Sequence, residues 1–158
     1  MEKKAKINWW KGKQLPVLTA LVVLSCSRTA NDQRPDEFPV VSYNNLDVKD
    51  FNVKITSAAD NREDWVYSPV LVVQKYRRIS DARFVSILLK NDRVENPSNS
   101  TITVVEEGYL DDAVRGQWFQ FFLERENSES AWKVEEIRQA NLCGRMGSPE
   151  KFSKELCP

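Results

Sequence analysis

The sequence predicts an α+β fold, an antiparallel meander of about four to six strands packed on one helix behind an N-terminal leader. Three observations predict it. From Ala82 onward, apolar and polar residues alternate in runs separated by Asn, Asp, Gly, Pro and Ser. Ser68-Pro69 has the form of a helix start. Residues 40–158 carry no internal repeat and no second linker, and their length suits one domain.

Residues 26–39 are polar with two prolines and lack apolar periodicity, which reads as a tether. As a flexible chain it spans about 20 Å. Phe51 to Thr56 alternates, as a half-buried strand should, and Ser57 to Asn61 is a polar break. Ser68 is placed as an N-cap, with Pro69 in the first turn, where its missing N–H costs nothing. The helix is expected over 70–78, with Leu71, Val72, Lys75 and Tyr76 on one stripe. An earlier start near Asp60, with Trp65 on the buried face, is the alternative.

Ala82 to Lys90 is apolar on both faces, the pattern of a central or sandwiched strand. Asn91 to Ser100 is a loop, and Thr101 to Glu107 is the next strand. Gly108 to Gly116 is a turn region. Gln117 to Glu126 sets Phe119, Phe121 and Leu123 on one face. Asn127 to Ser130 turns again, and Trp132 to Ile137 returns as a strand bulged at Glu135-Glu136.

Residues 1–25 have the parts of an export signal. Lys3, Lys4, Lys6, Lys11 and Lys13 precede the uncharged run Leu15 to Ser25, which ends against Cys26. Val23-Leu24-Ser25-Cys26 resembles the lipobox of bacterial lipoproteins. That resemblance implies a diacylglyceryl group on Cys26, cleavage before it, and attachment to the membrane through the N-terminal lipid. Since Ser27 is not Asp, enterobacterial sorting implies the periplasmic face of the outer membrane. Two other readings stay open. One is a secretory signal with a chance cysteine, leaving a secreted or soluble periplasmic protein. The other is an uncleaved span, although the run covers about 16 Å as a helix against about 30 Å of hydrocarbon.

With Cys26 taken by lipid, Cys143 and Cys157 remain, and two cysteines allow one pairing. Export places them where disulfides persist. The rival is a reactive thiol, for which the chain supplies neither histidine nor a C-x-x-C spacing. The order of a helix followed by a meander looks like the cystatin-like or NTF2-like cone. The closing arrangement Trp132, Val134, Cys143, Phe152, Cys157 and Pro158 is similar to the ends of uncharacterised bacterial envelope proteins.

Charge and composition exclude several classes. The chain has 23 basic and 23 acidic residues, and residues 1–25 hold five lysines and Glu2; the remainder therefore has 18 basic against 22 acidic. Such a balance leaves no footprint for nucleic acid. The chain has no histidine, which removes Ser-His-Asp and Cys-His nucleophiles and His-ligated zinc. No phosphate-cradling glycine motif occurs. Glu106, Glu107, Asp111 and Asp112 are the best surviving constellation, either as oxygen ligands, as paired carboxylates, or as a solvated turn neutralised by Arg115. Trp118, Phe119, Phe121, Phe122 and Trp132 line an apolar ligand pocket or form the core.

No catalytic or metal-ligating set and no cofactor is assigned. The expected function is a lipid-anchored envelope module that binds an envelope protein or an apolar ligand. The alternative is a small cone-fold enzyme using Asp/Glu chemistry.

Overall fold

Alternation between Ala82 and Cys143 builds four long strands, which a short fifth strand joins out of order. A computed structural model describes residues 38–78, 82–110, 113–144 and 150–157. In chain order they form β1 (Asn44–Leu46), α1 (Lys49–Asp60), a 3-10 turn (Asp64–Tyr67), α2 (Pro69–Tyr76), β2 (Phe84–Asn91), β3 (Asn99–Glu107), β4 (Val114–Glu124) and β5 (Lys133–Cys143). The sheet order is β1-β5-β4-β3-β2, antiparallel throughout. The meander of β2 to β5 is as the sequence predicts. Glu135 is the extra residue where Phe122 faces Glu136 and Leu123 faces Val134, which is the expected bulge. β5 then runs six residues past Ile137, as far as Cys143.

Both helices cover one face of the sheet. On that face Ile102 and Val104 of β3, Phe119, Phe121 and Leu123 of β4, and Val134 and Ile137 of β5 meet Phe51, Ile55, Val66, Val72 and Val73. Tyr76 stands edge-on to Phe51 and Phe121, with ring centroids 4.9 and 5.6 Å away. Trp132, placed by a bond from its N–H to the Val66 carbonyl (2.8 Å), is buried in the same core. Each fully buried large side chain here contributes about 1.5–3 kcal/mol.

The opposite face carries a second cluster, Val105, Trp118, Ala140, Leu142 and Phe152, with Phe38 and Val40 packed against it. Phe152 lies in a bridge to Val40, and Ser153 in one to Asn141. The start and the end of the described chain thus cover this face together. The Cys143–Cys157 disulfide, with Cα atoms 5.3 Å apart, closes the arrangement. No helix among the described residues is long and apolar enough to cross a membrane.

Four sequence expectations are corrected. Residues 51–56 are helical, not a strand, because Phe51, Ile55 and Ala58 fall on one face at helical spacing and are buried, while Val53 is 69% exposed. The apparent period of two was Val53 chancing to lie between Phe51 and Ile55. The sheet therefore packs on two helices and a 3-10 turn, and Trp65 belongs to that turn, half-buried. α2 begins at Pro69 behind Ser68, as expected, but buries Val72 and Val73 while Leu71 and Lys75 are exposed. Finally, β2 is an edge strand rather than a central one, with no partner strand on its other side among the described residues.

Candidate functional site

β3 presents Ile102, Val104 and Glu106 to the helix face, so its last position there is a carboxylate where the alternation calls for an apolar residue. Gln117 of β4 lies directly across from Glu106, and Asn141 of β5 directly across from Gln117. This polar row closes one end of the core. α2 ends at Tyr76, and Arg77 leaves the helix extended, its N–H still bonded to the Val73 carbonyl (2.9 Å). The Arg77 guanidinium then lies over the Phe119 ring, 4.1 Å from its centroid, facing the row.

Glu106 keeps only 2% of its surface exposed. Arg77 Nε donates to both of its oxygens, at 3.0 and 3.1 Å, and Nη2 adds a further bond to Oε2. The Tyr109 hydroxyl donates to Oε2 as well. Arg77 Nη2 also donates to Gln117 Oε1 (2.6 Å), and Gln117 Nε2 donates to Asn141 Oδ1 (3.2 Å). Burial works against the Arg77 guanidinium, yet its bonds and charge contacts with Glu106 and Tyr109 outweigh that and raise its pKa above the usual value. Burial, and then the bond to the Glu106 carboxylate, push the Tyr109 phenol up to about 12. The Glu106 charge is thus matched by a cation and a phenol. Through these bonds its oxygens hold the end of α2 on the sheet.

Of the expected acidic constellation, Glu106 and Glu107 are parted. Glu107 alternates to the opposite face from Glu106, and Arg115 faces Glu150 at 3.8 Å. Asp111 and Asp112 lie outside the described residues. No group of three or more metal-ligating side chains occurs among the described residues. A carboxyl pair that the sequence reading missed joins Glu135, on the bulge, to Glu124; burial and this neighbour raise the Glu135 pKa. The aromatic side chains mostly fill the cores: Phe119, Phe121 and Trp132 on the helix face, and Trp118 on the other. Phe122 lies under the Arg138 guanidinium at 4.5 Å.

Two clefts flank α1. One of about 260 Å3 is lined by Ile55, Ala59, Arg125 and Lys133 among others. Another, of about 360 Å3, lies beside Phe51, Trp65, Lys75 and Tyr76, with the Lys75 ammonium 5.5 Å from the Trp65 ring centroid. The first falls below, and the second at the lower end of, the range of about 300–1,000 Å3 typical of pockets that enclose small ligands.

Strand β2 departs from an ordinary edge. Phe84 is 61% exposed, Val85 39%, Ile87 43% and Leu89 41%. Val85, Ile87 and Leu89 pair with Glu106, Val104 and Ile102, so they stand on the helix face, beyond the cover of the helices. Natural edge strands blunt themselves with inward charges, prolines, bulges or short length. β2 is eight residues long, pairs with β3 in unbroken register, contains no proline, and has Lys90 as its single charge. The sequence signal for it was present in the two-faced apolar pattern but pointed equally to a central strand.

Cys143 and Cys157 are joined as the sequence reading expected, and Cys26 lies outside the described residues. Comparison with protein-family models, curated proteins and solved structures finds no match to this chain.

Proposed function

We propose that this chain is a lipid-anchored module of the bacterial envelope, held at the periplasmic face of the outer membrane through Cys26, and that it binds an envelope protein along strand β2. The anchor half of this reading is supported by the basic stretch, the apolar run and Val23-Leu24-Ser25-Cys26. Acyl chains supply attachment that a net-negative chain cannot gain from anionic lipid. A single observation carries the binding half: four large apolar side chains are exposed on a strand edge that no other strand among the described residues pairs. Adding a strand there satisfies the free backbone groups and covers the apolar stripe together. Glu106, the most buried acid among the described residues, is engaged by Arg77 and Tyr109, which favours binding over carboxylate catalysis.

Two measurements on the full-length chain test the proposal. Cys26→Ala is expected to abolish palmitate labelling and release the protein from membranes; retention with unchanged mature mass overturns the anchor. A photo-crosslinking residue at Ile87 is expected to give one discrete adduct in intact cells, whereas the same residue at Val53, exposed on α1, gives none. The absence of any adduct at Ile87 overturns the binding edge.

A further inference from the structure

We infer that the strand seated on β2 is the β2 strand of a second copy of this chain, in antiparallel register centred on Ile87. This rests on the reading of β2 as the binding edge and goes further by naming the occupant.

The Asp92 N–H donates to the Asn99 carbonyl at 3.1 Å, and Asn91 pairs with Ser100, so Asp92 and Asn99 are direct opposites at a hydrogen-bonded position of the ladder. Bonded and non-bonded pairs alternate along an antiparallel ladder. Residues 84, 86, 88 and 90 therefore bond to β3, and Val85, Ile87, Leu89 and Asn91 turn their N–H and C=O groups toward the open edge. A two-fold axis beside Ile87 pairs these outward groups with their own kind. Ile87 meets Ile87, and Val85 meets Leu89 in both directions.

Side-chain chemistry selects that register. With the axis at Ile87, all three apolar residues of the helix face meet apolar partners, giving a stripe of six side chains between the helix layers of the two copies. On the other face Lys90, the only charge in β2, falls directly opposite Phe84 of the second copy. Its own counterpart lies at the far end of the junction. Arg83, whose guanidinium lies over the Phe84 ring at 5.2 Å, falls beside Asn91 and next to Asp92. Moving the axis to Ser86 sets Leu89 against Arg83, and moving it to Leu88 sets Val85 against Asn91. The edge is thus complementary to itself in one register.

Size sets the strength. The four exposed apolar side chains offer on the order of 300 Å2 per copy, against about 800 Å2 per partner in a standard stable interface. The dimer is therefore weak in dilute solution and forms where concentration is high. Tethering both copies to one surface confines them to a thin layer and raises their local concentration.

Cysteine cross-linking of the full-length chain in its membrane tests both the occupant and the register, with the wild type as control for cross-links through Cys26. Direct partners that exchange backbone bonds have Cα atoms about 5.5 Å apart, inside the range of about 4.4–6.8 Å that a disulfide spans. Under mild oxidation Ile87→Cys is expected to form a homodimer at least ten-fold more efficiently than Val85→Cys or Leu89→Cys alone. Co-expressed Val85→Cys and Leu89→Cys are expected to recover the cross-link. Equal cross-linking of all three single variants overturns the register. If Ile87→Cys stays monomeric while the photo-crosslinker at Ile87 captures a different protein, the second copy is overturned and the binding edge stands. If neither experiment yields an adduct, both fall.

Discussion

The Asn52 carboxamide grips the backbone of Val134 at both ends: Nδ2 donates to the Val134 carbonyl at 2.8 Å, and Oδ1 accepts the Val134 N–H at 3.0 Å. The two residues are 82 positions apart, and the contact does for one residue of β5 what a neighbouring strand would do. It sits immediately before the Glu135 bulge and fixes α1 against the sheet there. Asn52→Ala leaves a buried N–H and C=O without partners, where each unmet group costs about 1–3 kcal/mol. A loss of about 2–4 kcal/mol in urea unfolding is expected. Asn52→Asp is expected to be nearly as harmful, since it keeps the acceptor but sets a charge against a carbonyl. A loss below about 1 kcal/mol for Asn52→Ala would show that water replaces the amide.

Arg77 and Glu106 are expected to behave as one unit. Arg77→Met leaves the Glu106 carboxylate in the core without its cation and should cost about 3–5 kcal/mol, the range for breaking a buried pair. Partial exposure of Arg77 places the value at the lower end. Arg77→Met with Glu106→Gln removes the stranded charge and should recover more than half of the loss. Additive losses in the double-mutant cycle would show that the pair is not coupled.

Tyr109 gives the network a signature at high pH. Burial and the Glu106 carboxylate raise its pKa to about 12, from the ordinary value near 10. Between these values the unfolded chain releases the phenol proton while the folded chain keeps it. The Tyr109 contribution is therefore complete below about pH 10 and is lost as pH rises toward about 12. Tyr109→Phe is expected to flatten that part of the stability profile, and ultraviolet titration should lose its highest-pH tyrosine step. An unchanged titration would separate Tyr109 from Glu106.

Arg62 closes α1 with positive φ, +56°. The Glu63 N–H reaches the Ala58 carbonyl and the Arg62 N–H the Ala59 carbonyl, each at 2.9 Å, so Arg62 occupies the left-handed position of a Schellman motif. That conformation costs a residue with Cβ roughly 1–2 kcal/mol. Arg62→Gly is expected to raise stability by about 0.5–1 kcal/mol after the added freedom of the unfolded glycine is counted. Destabilisation in thermal melts would mean that the Arg62 side chain contributes more than its backbone costs.

How far the chain could be read depended on whether a feature was local. Ser68-Pro69, the bulge at Glu135 and the face carrying Phe119, Phe121 and Leu123 are written in neighbouring residues, and all were legible. Phe51 to Thr56 was misread because one exposed valine imitated a period of two. The edge position of β2 depends on sheet order, which alternation does not encode. Glu106 on an apolar face was a visible anomaly, but its partner Arg77 is 29 residues earlier, and nothing in the spacing joins them. Asn52 carries no sequence signal for its grip on Val134.

The C-terminal segment tests what the disulfide contributes. Residues 150–157 hold one buried side chain, Phe152, while Leu156 is exposed. Main-chain bonds link Phe152 with Pro39 and Val41, and Ser153 with Asn141 in both directions, at 2.7–2.9 Å. Those bonds lock the two ends of the domain together, but one phenylalanine offsets little of the cost of ordering the segment. The Cys143–Cys157 bond closes a 15-residue loop, which the chain-entropy model values at about 3 kcal/mol. Cys143→Ser, Cys157→Ser and the double variant are expected to lose similar stability, about 2–5 kcal/mol, because all three lack the same bond. Amide exchange should rise first at Phe152 and Ser153 and at their partner Val41, while the helix-face core around Ile102 and Phe121 stays protected. Equal protection at Phe152 with and without the bond would assign the docking of the tail to packing alone.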